Sequence, residues 1–369
     1  LKVAFDQQVF LLQKYGGISR YFCNLQKEFF LKTHLDTRIF APIHFNENLA
    51  ALGDFCKSGY VLPDLPPKMR RLATEISIVY ARFLMKKFSP DIIHETYFSL
   101  SDFKARKSKI VLTVYDFIHE RYSEMFDQAH KTSDPKKVAA LRADHVICIS
   151  ESTRRDLIEY CSVPEERISV TYLGADVCFR RQNIIPASSL GDQPPFVLFV
   201  GSRSGYKNFD GFVRAFASSD RLVKDFDIVC FGGGALTVAE RNMSENVGLR
   251  VDQIRHYGGS DDILAKLYYH ASALIYPSLY EGFGIPPLEA MAAGCPVVSS
   301  DTSSLPEVVG GAGEYFDPTE DEAIRVAMEN VLYSNERCLD LVQRGYSQEA
   351  KFSWAKCADE TLAIYRSLL

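Results

Sequence analysis

Residues 273–301 read ALIYPSLYEGFGIPPLEAMAAGCPVVSSD. The apolar run ALIYPS is short enough to be a strand and ends at Ser278. A turn with Gly282 and Gly284 follows, and Pro286–Pro287 open a helix at its first positions, where a missing N–H does no harm. Gly294 closes that helix and Pro296 starts the next strand, PVVSSD. The stretch is therefore a strand–helix–strand unit, the repeat from which parallel sheets are built. The amides near Phe283, Gly284 and Ile285 lie at the helix N-terminus, free to receive an anion or a hydroxyl. Glu281 sits in the turn and Glu289 about one turn into the helix, at two depths along one ligand. A carboxylate can take two vicinal O–H donors at once. Either glutamate alone would be read as serving the helix dipole; the whole string argues for a site.

The same alternation runs outward in both directions. Towards the N-terminus the strand candidates are KVAFD (2–6), TRIFAPI (37–43), DIIHE (91–95), KIVLTVYD (109–116), HVICIS (145–150) and ISVTYL (168–173). The second half contributes FVLFVG (196–201), FDIVCFG (226–232), IRHYG (254–258), ALIYPS, PVVSSD and GEYFDP (313–318). Helical runs such as GISRYFCNLQKEFFLK and MRRLATEISIVYARFLMKKF lie between most of them. Short, continuously apolar strands separated by helices predict α/β architecture with parallel sheets covered on both faces. RRQNIIPASSLGDQPP (180–195) has no sustained period and reads as a linker. The expected organisation is an N-terminal Rossmann-like domain at 1–181, a linker at 182–195, and a C-terminal Rossmann-like domain at 196–351. An amphipathic helix at 352–369 completes it, expected to cross back to the N-terminal domain. Ligands bind such sheets at the carboxyl ends of the strands, so two facing domains predict a site in a deep cleft between them.

Composition narrows the class. The chain has 369 residues, 47% hydrophobic and 24% charged, the balance of a soluble globular protein long enough for two cores. No apolar run approaches the roughly 18 residues of a membrane span. The opening LKVAFDQQVF reads as a buried strand and not a signal peptide, which predicts a cytoplasmic protein. Nine cysteines without a CxxC predict reduced, buried thiols. A sequence pI near 6.0 argues against a nucleic-acid partner. Charge is uneven: residues 1–190 are net +5 and residues 191–369 net −10.

Further motifs follow strands. In GSRSGYKN (201–208) Gly201 permits a sharp exit, and Arg203 and Lys207 are expected to project towards two phosphates, one as a fork and one as a point charge. YGGISRY (15–21) places Gly16 and Gly17 before a helix, where bare backbone can approach a phosphate; Arg20 follows them. SESTRRD (150–156) is explained by Ser150 or Ser152 as an N-cap. The pair Asp225 and Asp227 matches a DxD metal motif, but Asp227 merely enters a strand. FGGGA (231–235) lacks the spacing of a dinucleotide site; it is expected at most to line a nucleotide pocket.

Glu281, seven residues, then Glu289, within EGFGIPPLEAMAAGCPVV, resembles the EX7E signature of the retaining GT-B glycosyltransferases of family GT4. YGGISRY, SESTRRDL, YLGAD and GSRSGYKN extend the resemblance over nearly the whole chain. It implies a GT-B fold. Glu289 would hold the ribose hydroxyls, Glu281 would lie by the donor sugar, and the amides of Phe283, Gly284 and Ile285 would meet sugar and diphosphate. Tyr257, Gly258 and Gly259 resemble the segment that meets the base. Relatives carry His-Asp where this chain has Tyr115-Asp116, so Asp116 keeps the carboxylate while His94 and His119 are candidates for the displaced imidazole. The implied reaction moves a glucose- or mannose-type hexose from a nucleotide sugar to a saccharide or lipid-linked saccharide hydroxyl, with retention. No prosthetic group and no metal is expected, and UDP-sugars are preferred to GDP-sugars on family frequency. An epimerase of the same fold and a non-catalytic sugar-nucleotide binder are the alternatives.

One cluster lies outside the motifs. Lys68, Arg70, Arg71, Lys86 and Lys87, then Lys104, Arg106, Lys107 and Lys109, crowd the first half, interleaved with Met69, Leu72, Ile76, Phe83, Leu84 and Met85. This is read either as a solvated helix face above an ordinary core, or as a contact with the inner face of an anionic membrane that carries the acceptor.

Overall fold

The computed structural model describes residues 1–32, 35–53, 59–62, 65–100, 107–184, 194–203 and 205–369. Most of the expected linker, together with Cys56, Lys104 and Arg106, lies outside them. The chain forms two compact units. One comprises Leu1–Leu173 with Trp354–Leu369, the other Gly174–Ser353. Residues 174–181, expected in the first domain, pack in the second unit. There Phe179 meets the Tyr268 ring edge-on at 5.9 Å, and Arg181 stacks over Tyr269 at 4.3 Å.

The first unit contains β1 (Lys2–Phe5), β2 (Asp36–Ile39), β3 (Ile43–His44), β4 (Tyr60–Val61), β5 (Ile92–Glu95), β6 (Lys109–Val114), β7 (His145–Cys148) and β8 (Ile168–Val170). Its main sheet runs β2-β1-β5-β6-β7-β8 and is parallel throughout. The run TRIFAPI is not one strand. Pro42 cannot donate to a ladder, and β3 beyond it pairs with β4 in a separate two-stranded sheet. The second unit contains β9 (Phe196–Val200), β10 (Asp227–Phe231), β11 (Ile254–Tyr257), β12 (Ala273–Tyr276), β13 (Val297–Ser300) and β14 (Gly313–Phe316), in parallel order β11-β10-β9-β12-β13-β14. Every residue of FVLFV, ALIY and VVSS in β9, β12 and β13 is buried. This is why these strands read as unbroken apolar runs.

In each sheet the winding direction reverses once, between β1 and β5 in the first unit and between β9 and β12 in the second. Loops leaving neighbouring strands there diverge to opposite faces and leave a crevice at the carboxyl edge.

The last helix, Trp354–Ser367, belongs to the first unit and packs on the Gly17–Phe30 helix. Trp354 and Tyr21 lie 6.2 Å apart, Tyr365 and Phe29 6.0 Å apart. His94, in the middle of β5, is fully buried between Tyr365 Oη (2.5 Å from Nδ1) and Thr113 Oγ1 (2.7 Å from Nε2). Burial holds its imidazole down at about 3. It is a core residue that pins the last helix to the sheet.

The Pro67–Phe88 helix turns Ser77, Ala81, Met85 and Phe88 inward. Met69, Leu72, Ile76, Val79, Tyr80 and Phe83 are not core, being between 50% and 67% exposed. Among the described residues no helix is long and apolar enough to cross a membrane.

Candidate active site

At the β9/β12 reversal of the second unit, two loops converge. The first leaves β9 at Gly201 and ends in the short Gly205–Lys207 turn. The second leaves β12 and carries Glu281. Leu279 N–H donates to the Tyr206 carbonyl at 2.7 Å, tying them together. Lys207 Nζ then donates to Glu281 Oε1 at 2.5 Å and to Tyr276 Oη at 3.1 Å. Both side chains of the ion pair are nearly covered. Burial, and next the Glu281 charge, push the Tyr276 phenol well above its ordinary value.

The Glu281 loop is also laced from its other side, by the segment after β13. Glu281 N–H donates to Ser303 Oγ at 2.8 Å. Ser304 Oγ donates to the carbonyls of Glu281 and Phe283 at 2.9 and 2.8 Å. Ser300 Oγ donates to the Ser278 carbonyl at 2.6 Å. Sequence reasoning passed over these serines and Tyr276; their only signal was a hydroxyl-rich run, SSDTSS (299–304), after a strand.

Gly284 is the N-cap of the Ile285–Ala293 helix with φ +109°, a conformation that any Cβ strains. A Cβ there would also lie 2.8 Å from Leu305 Cδ2. The expected helix N-terminus at Phe283, Gly284 and Ile285 therefore forms beside the Lys207–Glu281 pair, with Phe283 anchored edge-on against Phe352 at 5.9 Å. Glu289, one turn in, is buried and accepts from Tyr268 Oη at 3.1 Å. Burial and then Glu289 push the Tyr268 phenol well up, so this tyrosine is a proton donor to the carboxylate. Nothing in the sequence marked Tyr268.

Arg203 departs from its expected direction. Its side chain is 2% exposed and points inward. It donates to Glu240 and to the carbonyls of the 232–235 loop. Tyr257 ends β11 and Gly258 and Gly259 follow it on the same carboxyl edge, Tyr257 half-buried and the glycines exposed. Asp227, of the rejected DxD pair, begins β10 at the opposite edge and is held by Arg250 at 3.0 Å and Arg255 at 3.3 Å. Among the described residues no group of three or more His, Cys, Asp or Glu is placed to hold a metal.

The first unit has its own crevice at the β1/β5 reversal, a cavity of about 110 Å³ lined by Asp6, Gln7, Gln8, Arg82, Glu95 and Ser99 among others. Asp6 staples its walls, accepting from Thr96 Oγ1 at 2.5 Å and Gln8 Nε2 at 2.6 Å. Burial raises the Asp6 carboxyl above its ordinary value. Gln7 Oε1 is buried and has no partner among the described residues. Gly16 N-caps the Gly17–Phe30 helix, and a Cβ on it would strike Gln13 Oε1 at 2.4 Å. At Gly17 a Cβ would meet nothing within 4 Å, so protein packing does not demand that glycine. The Asp116 carboxylate accepts the Ile118 N–H at 3.2 Å, and its carbonyl accepts from Lys136 Nζ at 2.8 Å. Tyr115, next to Asp116, is buried edge-on to Tyr21. The His119 ring lies tilted against Phe126 at 4.5 Å, its Nδ1 without a partner among the described residues.

Residues 15–178 match the family described as Glycosyltransferase Family 4, and residues 180–348 match Glycosyl transferases group 1. The chain is similar to the O-antigen chain mannosyltransferase B of Escherichia coli, 30% identical over 68% of this chain and 65% of that protein. It thus spans slightly less than two thirds of that relative's length. Among solved structures it is similar to sucrose-phosphate synthase from Thermosynechococcus elongatus, with TM-score 0.77, 20% identity, and coverage of 100% and 98%. It is likewise similar to Anabaena HepE in complex with UDP-glucose, with TM-score 0.77, 18% identity, and 99% of each chain covered. At these identities the structural likeness speaks for the fold, the GT-B pair of Rossmann-like domains.

Proposed function

The chain belongs to the glycosyltransferases of family 4 and group 1, and on that premise we propose that it transfers a hexose from a nucleoside diphosphate sugar to a saccharide or lipid-linked saccharide hydroxyl. The observation that carries this reading is the Lys207–Glu281 pair at the strand-order reversal, beside the helix N-terminus at Gly284. One cation, a row of amides and two carboxylates at different depths suit a ligand with a diphosphate between two polyols. Glu289, backed by Tyr268, takes the ribose hydroxyls. Glu281 takes hydroxyls of the donor sugar. Lys207 and the amides of Phe283 to Ile285 hold the diphosphate.

The reaction proceeds with retention and without a metal. The acceptor oxygen bonds to the anomeric carbon on the face from which the diphosphate departs. The sugar–phosphate C–O bond breaks, and the departing phosphate oxygen takes the acceptor proton. Negative charge grows on that oxygen in the transition state, and Lys207 and the helix amides are aimed at it. A fixed donor of this kind supplies on the order of 2.7–4 kcal/mol. The donor sugar is of glucose or mannose type; the mannosyltransferase relative favours mannose, and UDP is preferred to GDP as carrier. In the first unit, Gly16 and Gly17 serve a phosphate of the donor, and Asp116 the sugar or the acceptor.

Contact with an anionic membrane is part of the same proposal. The apolar residues exposed on the Pro67–Phe88 helix recur at positions 69, 72, 76, 79, 80 and 83, one face of a 3.6-residue repeat. Lys68, Arg70, Arg71, Arg82, Lys86 and Lys87 share the helix with a single acid, Glu75. A second copy laid on this face would oppose like charges; an anionic lipid surface complements them. The enzyme would then work at the cytosolic face, where a lipid-linked acceptor is presented.

The test is incubation of UDP- and GDP-hexoses with and without acceptor saccharides, in the presence of EDTA. Acceptor-dependent release of nucleoside diphosphate is expected. A new sugar nucleotide without acceptor would indicate an epimerase. Binding without turnover for every donor and acceptor would indicate a non-catalytic binder. Strict dependence on a divalent ion would overturn the metal-free mechanism.

A further inference from the structure

Three consecutive glycines after β10, Gly232, Gly233 and Gly234, all have positive φ, +86°, +71° and +77°. A run of left-handed residues is open only to glycine. Here it bends the chain so that four successive carbonyls converge on one point. That point is the Arg203 guanidinium: Nη1 donates to Gly232 O at 2.9 Å, and Nη2 to Gly233, Gly234 and Ala235 O at 3.4, 2.8 and 3.1 Å. Nε donates to Glu240 Oε1 at 2.8 Å, and Nη2 also reaches Glu240 Oε2 at 3.4 Å. All three guanidinium nitrogens are engaged, Nε and Nη1 by one acceptor each and Nη2 by four. Glu240 is itself fixed, as the third helical residue of a capping box with Thr237.

The loop abuts the donor site described above. A Cβ on Gly233 would lie 3.0 Å from the Gly201 carbonyl and 3.2 Å from Arg203 Nη1. Gly201 in turn sits over the Lys207 side chain, where an added Cβ would be 3.7 Å from Cε. On the far side Gly232 N–H donates to the Tyr257 carbonyl at 3.1 Å. Glu240, Arg203, the glycine loop, Gly201 and Lys207 are therefore one contiguous series of contacts. Without a cation at their centre the four converging carbonyl dipoles would repel one another.

We propose that Arg203 is a positioning residue and not a phosphate ligand: with Glu240 it clamps the 232–235 loop into the left-handed shape that forms one wall of the nucleotide site. This rests on the nucleotide reading of the preceding subsection. A phosphate can be met by Lys207 and the helix amides while Arg203 stays buried. Lysine cannot replace Arg203, since one ammonium cannot span four carbonyls and a carboxylate.

The experiment compares the full chain with Arg203→Lys, Glu240→Gln and Gly233→Ala. Titrations with UDP and UMP, and with GDP and GMP, are joined to hydrogen exchange of the ligand-free proteins. A clamp predicts that each variant weakens the diphosphate and the monophosphate by the same factor, about tenfold. The Arg203→Lys, Glu240→Gln double variant should be little worse than either single one, since both break one network. Amides from Gly232 to Leu236 should exchange faster in every variant, with the rest of the second unit unchanged. Arg203→Lys weakening UDP at least tenfold more than UMP, with exchange at 232–236 unaltered, would overturn the proposal and return Arg203 to the phosphates. If the unaltered protein binds none of the four nucleotides, the donor-site reading fails before any substitution is made, and this proposal with it. Loss of folding in Arg203→Lys would leave the decision to Glu240→Gln, which removes a charge but little volume.

Discussion

Replacing Glu281 by Gln should tighten nucleoside diphosphate binding while lowering turnover. In the ligand-free protein, Lys207 Nζ lies 2.5 Å from Glu281 Oε1. A phosphate oxygen reaching the same ammonium from its other side would sit about 5 Å from that carboxylate, given charge-assisted bonds of about 2.8 Å. Two unit charges at about 5 Å repel by roughly 0.8 kcal/mol at the dielectric of water and roughly 3 kcal/mol at an effective value near 20. The pair is nearly covered, so the true figure lies between these, and salt screens it only partly. Removing the carboxylate charge should therefore improve the dissociation constant by about 4-fold to about 150-fold. Losing its partner also raises the free energy of Lys207 in the empty site, which acts in the same direction. The same loss should lower folding stability. The cost should not exceed the low end of the roughly 3–5 kcal/mol for breaking a buried pair, because Tyr276 Oη remains at 3.1 Å. The assay is calorimetric titration of UDP and GDP into both proteins at two salt concentrations, with a parallel melting curve. A dissociation constant more than threefold weaker in Glu281→Gln would refute the idea that carboxylate and phosphate compete for Lys207.

Glu289→Gln should weaken nucleoside diphosphates by about 10- to 100-fold, a charged hydrogen-bond loss of about 1.5–3 kcal/mol; unchanged affinity in the same titration would remove Glu289 from the ribose. Lys207→Ala should lower kcat more than it raises KM for the donor, because leaving-group charge grows in the transition state, and equal losses would confine Lys207 to binding. Leu72→Ser with Phe83→Ser should cut sedimentation with anionic vesicles at least tenfold and leave nucleotide affinity untouched. Equal binding of the unaltered protein to neutral and anionic vesicles at low salt would count against the lipid contact. The His94 imidazole is held down to about 3 by burial, whereas the unfolded chain takes up that proton near 6.5. Stability should therefore fall as pH drops from about 6.5 towards 3, by at most about 1.4 kcal/mol per pH unit from this group. The urea midpoint against pH should be shallower in His94→Gln, and an identical slope would deny His94 that role.

The parallel sheets were legible because both faces are buried, so β9 and β12 read as FVLFV and ALIY without a polar break. Glu281, Lys207 and Gly284 stand out as candidates in the sequence because they lie on loops directly after strands, where chain order alone places them. The direction of Arg203 was not legible. It depends on carbonyls some thirty residues later in the chain, and GSRSGYKN carries no trace of them. The helix at 67–88 shows a different limit. A 3.6-residue apolar period reports that one face differs from the others, not which face meets the core. Ser77 and Ala81 are buried there, while Leu72 and Phe83 are exposed. His94 looked like a candidate because it ends an apolar run, but its partners Thr113 and Tyr365 come from distant segments.

The polypeptide leaves the first unit at Leu173 and rejoins it only at Trp354. During translation the ribosome thus delivers the second unit whole before the closing helix of the first has been made. Until then Tyr21, Phe29 and His94, which that helix covers through Trp354 and Tyr365, have no roof. Assembly is vectorial in an inverted sense: the half synthesised first is finished last. A premature stop anywhere between 174 and 353 would spare every residue of the first sheet and still leave it unsealed. A stop just before Trp354 would release a complete second unit tethered to an unfinished first one.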